Sequence, residues 1–224
     1  MRKNLYVVPL FLYALAVLTP VVGKITHNEI EYVSTVLVLG LLVIALTWRP
    51  LLNSFKKMKL IDYVLYLPSL AFFQILLIVL IVIVLNATGH TSTSLMSANG
   101  NFLDTINNHF SQQSTVIILN QLWVGLVGPI VENILFIYLI QGQLLKKLGD
   151  QGASRGVKIL QVIIVTGLFM CWHLNSLHNF VDPGFYRYVA LAWLPLVYLK
   201  TQSLAKTVVA HIGLNLVVII LYFI

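Results

Sequence analysis

Charge is what this sequence has least of. Only 9% of its 224 residues are Asp, Glu, Lys or Arg, where a soluble domain carries about 25%. A chain that is 59% hydrophobic, with a mean hydropathy of +0.91, cannot cover itself with polar surface and stay in water. A cytosolic enzyme and a disordered protein are excluded. Cysteine is nearly absent as well. The single Cys171 lies inside an apolar stretch, which excludes a secreted disulfide scaffold. Acidic residues are fewer than basic ones, 7 against 14, for a net charge of +7. A positive balance can signal nucleic acid, but these basic residues stand in small groups between apolar runs, where positive charge sets membrane orientation. No nucleic-acid partner is expected. What the chain does have is long, unbroken apolar runs rather than alternating ones, the pattern of helical spans and not of a barrel.

A span needs roughly 20 apolar residues. Seven stretches qualify, at about 5–22, 33–50, 63–87, 115–145, 158–178, 187–200 and 204–223. The sixth is short and contains Pro195. The first is read as a retained helix, because its apolar run is too long for a signal peptide and no small-residue cleavage site follows it. The expected architecture is all-α: a polytopic transmembrane helix bundle of about seven spans, forming one membrane domain over 1–224. With the N-terminus cytoplasmic and the spans alternating, twelve basic residues fall inside (Arg2, Lys3, Arg49, Lys56, Lys57, Lys59, Lys146, Lys147, Arg155, Lys158, Lys200 and Lys206) and two outside, Lys24 and Arg187. That asymmetry supports the orientation. Residues 51–60, LLNSFKKMKL, read either as a short interfacial helix or as a basic linker. Residues 88–114 read as a polar outer loop without Lys or Arg, a solvated connector long enough to serve as a lid or partner surface.

Ionisable residues within spans are costly and mark function. Glu132 lies in the fourth span within GPIVENILF, His173 in the fifth within LFMCWHLN, and His211 in the seventh within VVAHIGLN, with Asn215 one turn later. Residues four apart share a helix face, which pairs His211 with Asn215, His173 with Phe169 and Glu132 with Phe136. Each polar group thus has a neighbour suited to lining a common pocket. A carboxylate beside an imidazole can take a proton from water, and a second imidazole and an amide can donate to a developing oxyanion. This outlines a water-using hydrolase. The same groups can bind a divalent metal, although the HExxH spacing of helical zinc proteases is absent. Gly128 and Pro129 are expected to kink the fourth helix just before Glu132. Asn120, Gln121, Gln141 and Gln143 read as inter-helix hydrogen bonders. Trp123, Trp172 and Trp193 read as packing or interfacial anchors. His27, His90 and His109 read as solvated loop residues, with Asn175 and His178 near the border of the pocket.

Three segments resemble the motifs of the CAAX-processing and bacteriocin-processing intramembrane proteases, the CPBP or Abi family. Its pattern is a proline followed by Glu-Glu-x-x-x-Arg, then Phe-x-x-x-His, then His-x-x-x-Asn. Here the first runs from Pro129 through Glu132 and Asn133 to Ile137, the second from Phe169 to His173, and the third from His211 to Asn215, preceded by Thr201, Ser203 and Leu204. The resemblance covers about 120–220. It implies an intramembrane endopeptidase in which Glu132 is the base for water, His173 assists, and His211 and Asn215 stabilise the oxyanion, with Phe136, Phe169 and Asn133 lining the pocket. Asn133 and Ile137 stand where the family has its second Glu and its Arg, so a potential ion pair is lost as a pair, leaving no unpaired buried charge. The implied substrate is a membrane-associated protein or peptide: prenylated C-terminal tails in eukaryotic members, bacteriocin leader peptides or self-immunity in bacterial ones. The compact chain suits a bacterial plasma membrane. The rival expectation is a non-catalytic scaffold or bacteriocin self-immunity protein of the same fold. One geometric conflict stands out. Along the helices, Glu132 is ~21 Å from Lys146, while His211 is only ~8 Å from Lys206.

Overall fold

The computed structural model describes residues 10–14, 29–88, 114–148, 155–173 and 183–223, and every regular element within them is helical. Most of the first expected span, the polar outer loop, and His27, His90, His109, Asn175 and His178 lie outside the described residues. After a helical stretch at residues 10–14, the long elements are α1 (Glu29–Phe55), α2 (Leu60–Tyr66) and α3 (Ser69–Ala87). Then comes α4, a continuous helix over 114–148, followed by α5 (Arg155–Trp172), a 3-10 helix (Pro183–Ala192), α6 (Trp193–Thr201) and α7 (Leu204–Phe223). Among these, Ile30–Phe55, Leu60–Ala87, Ile117–Leu144 and Arg155–Trp172 are long and apolar enough to cross a membrane, and Leu204–Ile220 is a shorter apolar helix. The chain is a helical membrane protein. The short sixth stretch is half 3-10 helix and half the nine-residue α6.

The basic segment 51–60 divides between two elements. Leu51–Phe55 completes α1, and Lys56, Lys57, Met58 and Lys59 form the turn into α2. A lipid-facing surface is evident on α3, where Phe72, Ile75, Leu76, Val79, Leu80, Ile83 and Val84 are all exposed. In water this would be an aggregation-prone patch; against acyl chains it is the ordinary solvent-facing side.

Helix α7 is central, touching α1, α2, α3, α4 and α6. Its residues Leu204, Ala205, Val208, Val209, Ala210, His211 and Leu214 are buried. Its N-terminus is held at two points: the Ser54 hydroxyl of α1 accepts from the Ala205 amide at 2.9 Å, and Lys206 pairs with Asp62 of α2 at 2.8 Å. The Lys206 ammonium also lies over the Tyr66 ring, 5.0 Å from its centre. Lys206 is therefore a paired cation at the α2–α7 contact, with Asp62 and Tyr66 as its partners.

Small residues let the helices close on one another. At Gly213 of α7 the Leu67 main-chain carbonyl, at the break between α2 and α3, occupies the place a β-carbon would take. Backbone cannot swing aside as a side chain does. Gly213→Ala is therefore expected to destabilise by at least the ~1–3 kcal/mol of core overpacking. A β-carbon at Gly167 of α5 would meet nothing within 4 Å, so Gly167→Ala should hold or raise stability, by up to about 1 kcal/mol of helix propensity. Thermal unfolding of both variants in detergent checks this; equal midpoints would contradict it.

Candidate active site

Helix α4 is built around Pro129. Trp123–Val127 and Asn133–Leu144 are π-helical, and between them Gly128–Glu132 is α-helical. π-Segments inside helices occur frequently at functional sites. The Gly128 amide bonds the Trp123 carbonyl, five residues back. In that register the next donor would be Pro129, which has no N–H. The Val124 carbonyl is therefore left without a main-chain donor, and the Asn215 side-chain amide of α7 donates to it at 2.7 Å. The expected disturbance at Gly128 and Pro129 thus takes the form of a wide-register turn sealed by another helix.

One turn further, Glu132 and His211 face each other, with Glu132 Oε2 3.8 Å from His211 Nε2. The other carboxylate oxygen, Oε1, accepts from the Trp172 indole N–H at 3.2 Å. Behind them Asn133 is fully buried. Its Nδ2 donates to the Pro129 carbonyl at 2.8 Å and stands 3.0 Å from His211 Nδ1. The pocket phenylalanines form the adjoining wall: Phe136 packs on Phe169 with ring centres 4.4 Å apart and meets Trp172 edge-on at 5.5 Å, and Phe169 meets His211 edge-on at 6.1 Å.

His173 follows the last residue of α5. Its Nδ1 lies 2.8 Å from the Phe169 carbonyl. A carbonyl only accepts, so Nδ1 carries the proton and the neutral ring keeps its lone pair on Nε2. The ring stacks on Tyr188 of the 3-10 helix, with centres 4.5 Å apart, and Arg187 lies over the opposite partner of that stack, 5.1 Å from the Tyr188 centre. His173 directly follows Trp172, whose indole N–H meets Glu132, and it caps the carbonyl of Phe169, whose ring meets His211.

The structure thus brings Glu132, Asn133, His211, Phe136 and Phe169 into one cluster, sets His173 at its edge, and engages Asn215 with the backbone of α4. Trp172 packs, as expected, against Tyr13 and Phe136, and it also donates to Glu132, a contact that its reading as an anchor did not include. The available signal was an indole N–H one residue before His173, inside a span where such a donor needs a partner. Tyr13 and Trp123 extend this aromatic wall: Tyr13 stacks on Trp172 at 6.3 Å and accepts the Trp123 N–H at 3.0 Å. Of the amides read as helix bridges, Gln141 does bond the Pro195 carbonyl, at 3.0 Å, whereas Gln143 is exposed. Among the described residues, no three His, Cys, Asp or Glu side chains are grouped as a metal site.

No curated protein and no solved structure matches the chain. Residues 114–217, from the first turn of α4 into α7 and including every candidate site residue, match the family of Rce1-like type II CAAX prenyl endopeptidases.

Proposed function

We propose that the chain is an intramembrane endopeptidase that hydrolyses a peptide bond of a membrane-associated protein or peptide by Glu/His-activated water. The observation that carries this reading is the Glu132–His211 pairing, 3.8 Å apart on two helices of the segment similar to a prenyl endopeptidase family. In the proposed reaction Glu132 takes a proton from water, aided by the Nε2 lone pair of His173, which holds that water by a hydrogen bond. The water oxygen adds to the scissile carbonyl carbon, and as the C–N bond breaks Glu132 passes the proton to the departing amine. His211 and Asn215 donate to the oxyanion of the tetrahedral intermediate. The Trp172 indole steadies the carboxylate throughout. A site enclosed by spans selects substrates that are themselves held in the bilayer.

One observation favours a second reading, the non-catalytic scaffold or self-immunity protein. The cluster is closed, with the Glu132 side chain only 13% exposed and that of His211 4%, and a scaffold needs only satisfied hydrogen bonds.

The test is cleavage of a bilayer-anchored reporter peptide by the purified chain in proteoliposomes. His173→Ala is expected to slow cleavage about 10²-fold or more with unchanged thermal unfolding. A wild-type rate in that variant would remove His173 from the mechanism, and a wild-type chain that cleaves no bilayer-anchored peptide would favour the scaffold.

A further inference from the structure

The hydrogen bonds around Asn133 fix a proton. The Pro129 carbonyl can only accept, so the atom 2.8 Å from it must be the amide nitrogen of Asn133 and not its oxygen. That nitrogen also stands 3.0 Å from His211 Nδ1 and has a second hydrogen to offer. Two donors cannot share one contact, so Nδ1 of His211 holds the lone pair. A neutral imidazole has one N–H, and here it must be on Nε2, the atom that faces Glu132 at 3.8 Å. The arrangement persists although Asn133 Oδ1 is buried without a partner; turning the amide round would set oxygen against the Pro129 carbonyl.

We infer that Asn133 is a positioning residue that locks His211 as its Nε2–H tautomer, so that the ring presents a donor toward Glu132. A carboxylate oxygen at the same place would accept from Nδ1–H instead and leave a lone pair on Nε2. The Asn in this chain therefore sets the opposite polarity. Its chemical consequence rests on the endopeptidase reading: His211 serves as a donor to oxygen, and proton abstraction falls to Glu132 and His173.

The tautomer is measured directly by NMR of the full chain in lipid, with the histidine ring nitrogens labelled and His211 assigned through its loss in His211→Gln. In the wild type, His211 is expected to show an unprotonated Nδ1 and a protonated Nε2. In Asn133→Asp an oxygen faces the ring and the tautomer inverts. In Asn133→Leu, which removes the donor without adding an acceptor, the Nδ1–H form grows to a measurable share. A protonated Nδ1 in the wild type overturns the inference, as does a spectrum unchanged in both variants. The wild-type spectrum decides by itself if a variant fails to fold. It is recorded without substrate, so a chain that cleaves nothing leaves the inference standing. A chain that cleaves with Nδ1–H on His211 overturns the inference and removes His211 Nε2 from the oxyanion donors, while Glu132 stays the base for water.

Discussion

Glu132→Gln is expected to lower the rate of peptide cleavage about 10²- to 10⁴-fold and to leave the fold in place. Gln keeps the length and shape of Glu, and its amide oxygen can still accept the Trp172 indole N–H that Oε1 accepts at 3.2 Å. What it cannot do is take a proton from water at neutral pH. The loss corresponds to about 2.7–5.4 kcal/mol of transition-state stabilisation, at 1.36 kcal/mol per factor of ten. The change also separates the two functional readings, because a scaffold asks of residue 132 only size and polarity. Cleavage and resistance to a bacteriocin should be measured at matched expression and matched thermal unfolding. Retained resistance without any cleavage in either protein supports the scaffold, and loss of cleavage with unchanged folding supports catalysis by Glu132. Wild-type cleavage in Glu132→Gln would refute its role as the base.

Asn133→Glu is expected to destabilise the chain by about 3–5 kcal/mol, the cost of a buried charge without its partner. Residues 133 and 137 are both fully buried, so neither place offers water to a carboxylate or a guanidinium. Ile137→Arg alone should be about as costly for the same reason. Introduced together, the two charges lie on one helix, and the double variant should fall short of the summed losses by a coupling at the upper end of the 0.5–3 kcal/mol seen for residues in contact. Denaturant unfolding followed by tryptophan fluorescence checks this. If Asn133→Glu is as stable as the wild type, or if the double variant simply adds the two losses, the sites do not behave as a replaced ion pair.

The membrane helices could be read from sequence because apolar runs of span length have few alternative explanations. The candidate site stood out because Glu132, His173 and His211 are ionisable groups inside such runs. The limits of that reading are physical. The span through 63–87 contains Pro68, yet whether proline kinks or divides a helix depends on what packs at the break, here Gly213 against Leu67. The pairing of Lys206 with Asp62, far away along the chain, left no trace in the sequence. The π-register on either side of Gly128–Glu132 left no local trace beyond Gly128 and Pro129, since it depends on an amide arriving from α7. For the same reason face-sharing at four-residue spacing described α4 imperfectly. Glu132 and Phe136 do border the same place, but through their common neighbour Trp172. Asn133 was legible as a departure from a family pattern, while its effect on a ring nitrogen required knowing that Pro129 and His211 flank it.

The seal between Asn215 and the Val124 carbonyl has a consequence for how the protein is made. Helix α4 enters the membrane before α7 has been synthesised, and until then its main chain carries an acceptor with no donor in an environment where each such group costs several kcal/mol. Lipid offers nothing to that oxygen. Without α7, only a water or a donor from outside the helix could satisfy it. The helix that brings His211 to Glu132 is thus also the one that completes the hydrogen bonding of the α4 main chain, so the site and the integrity of its own scaffold depend on the same packing.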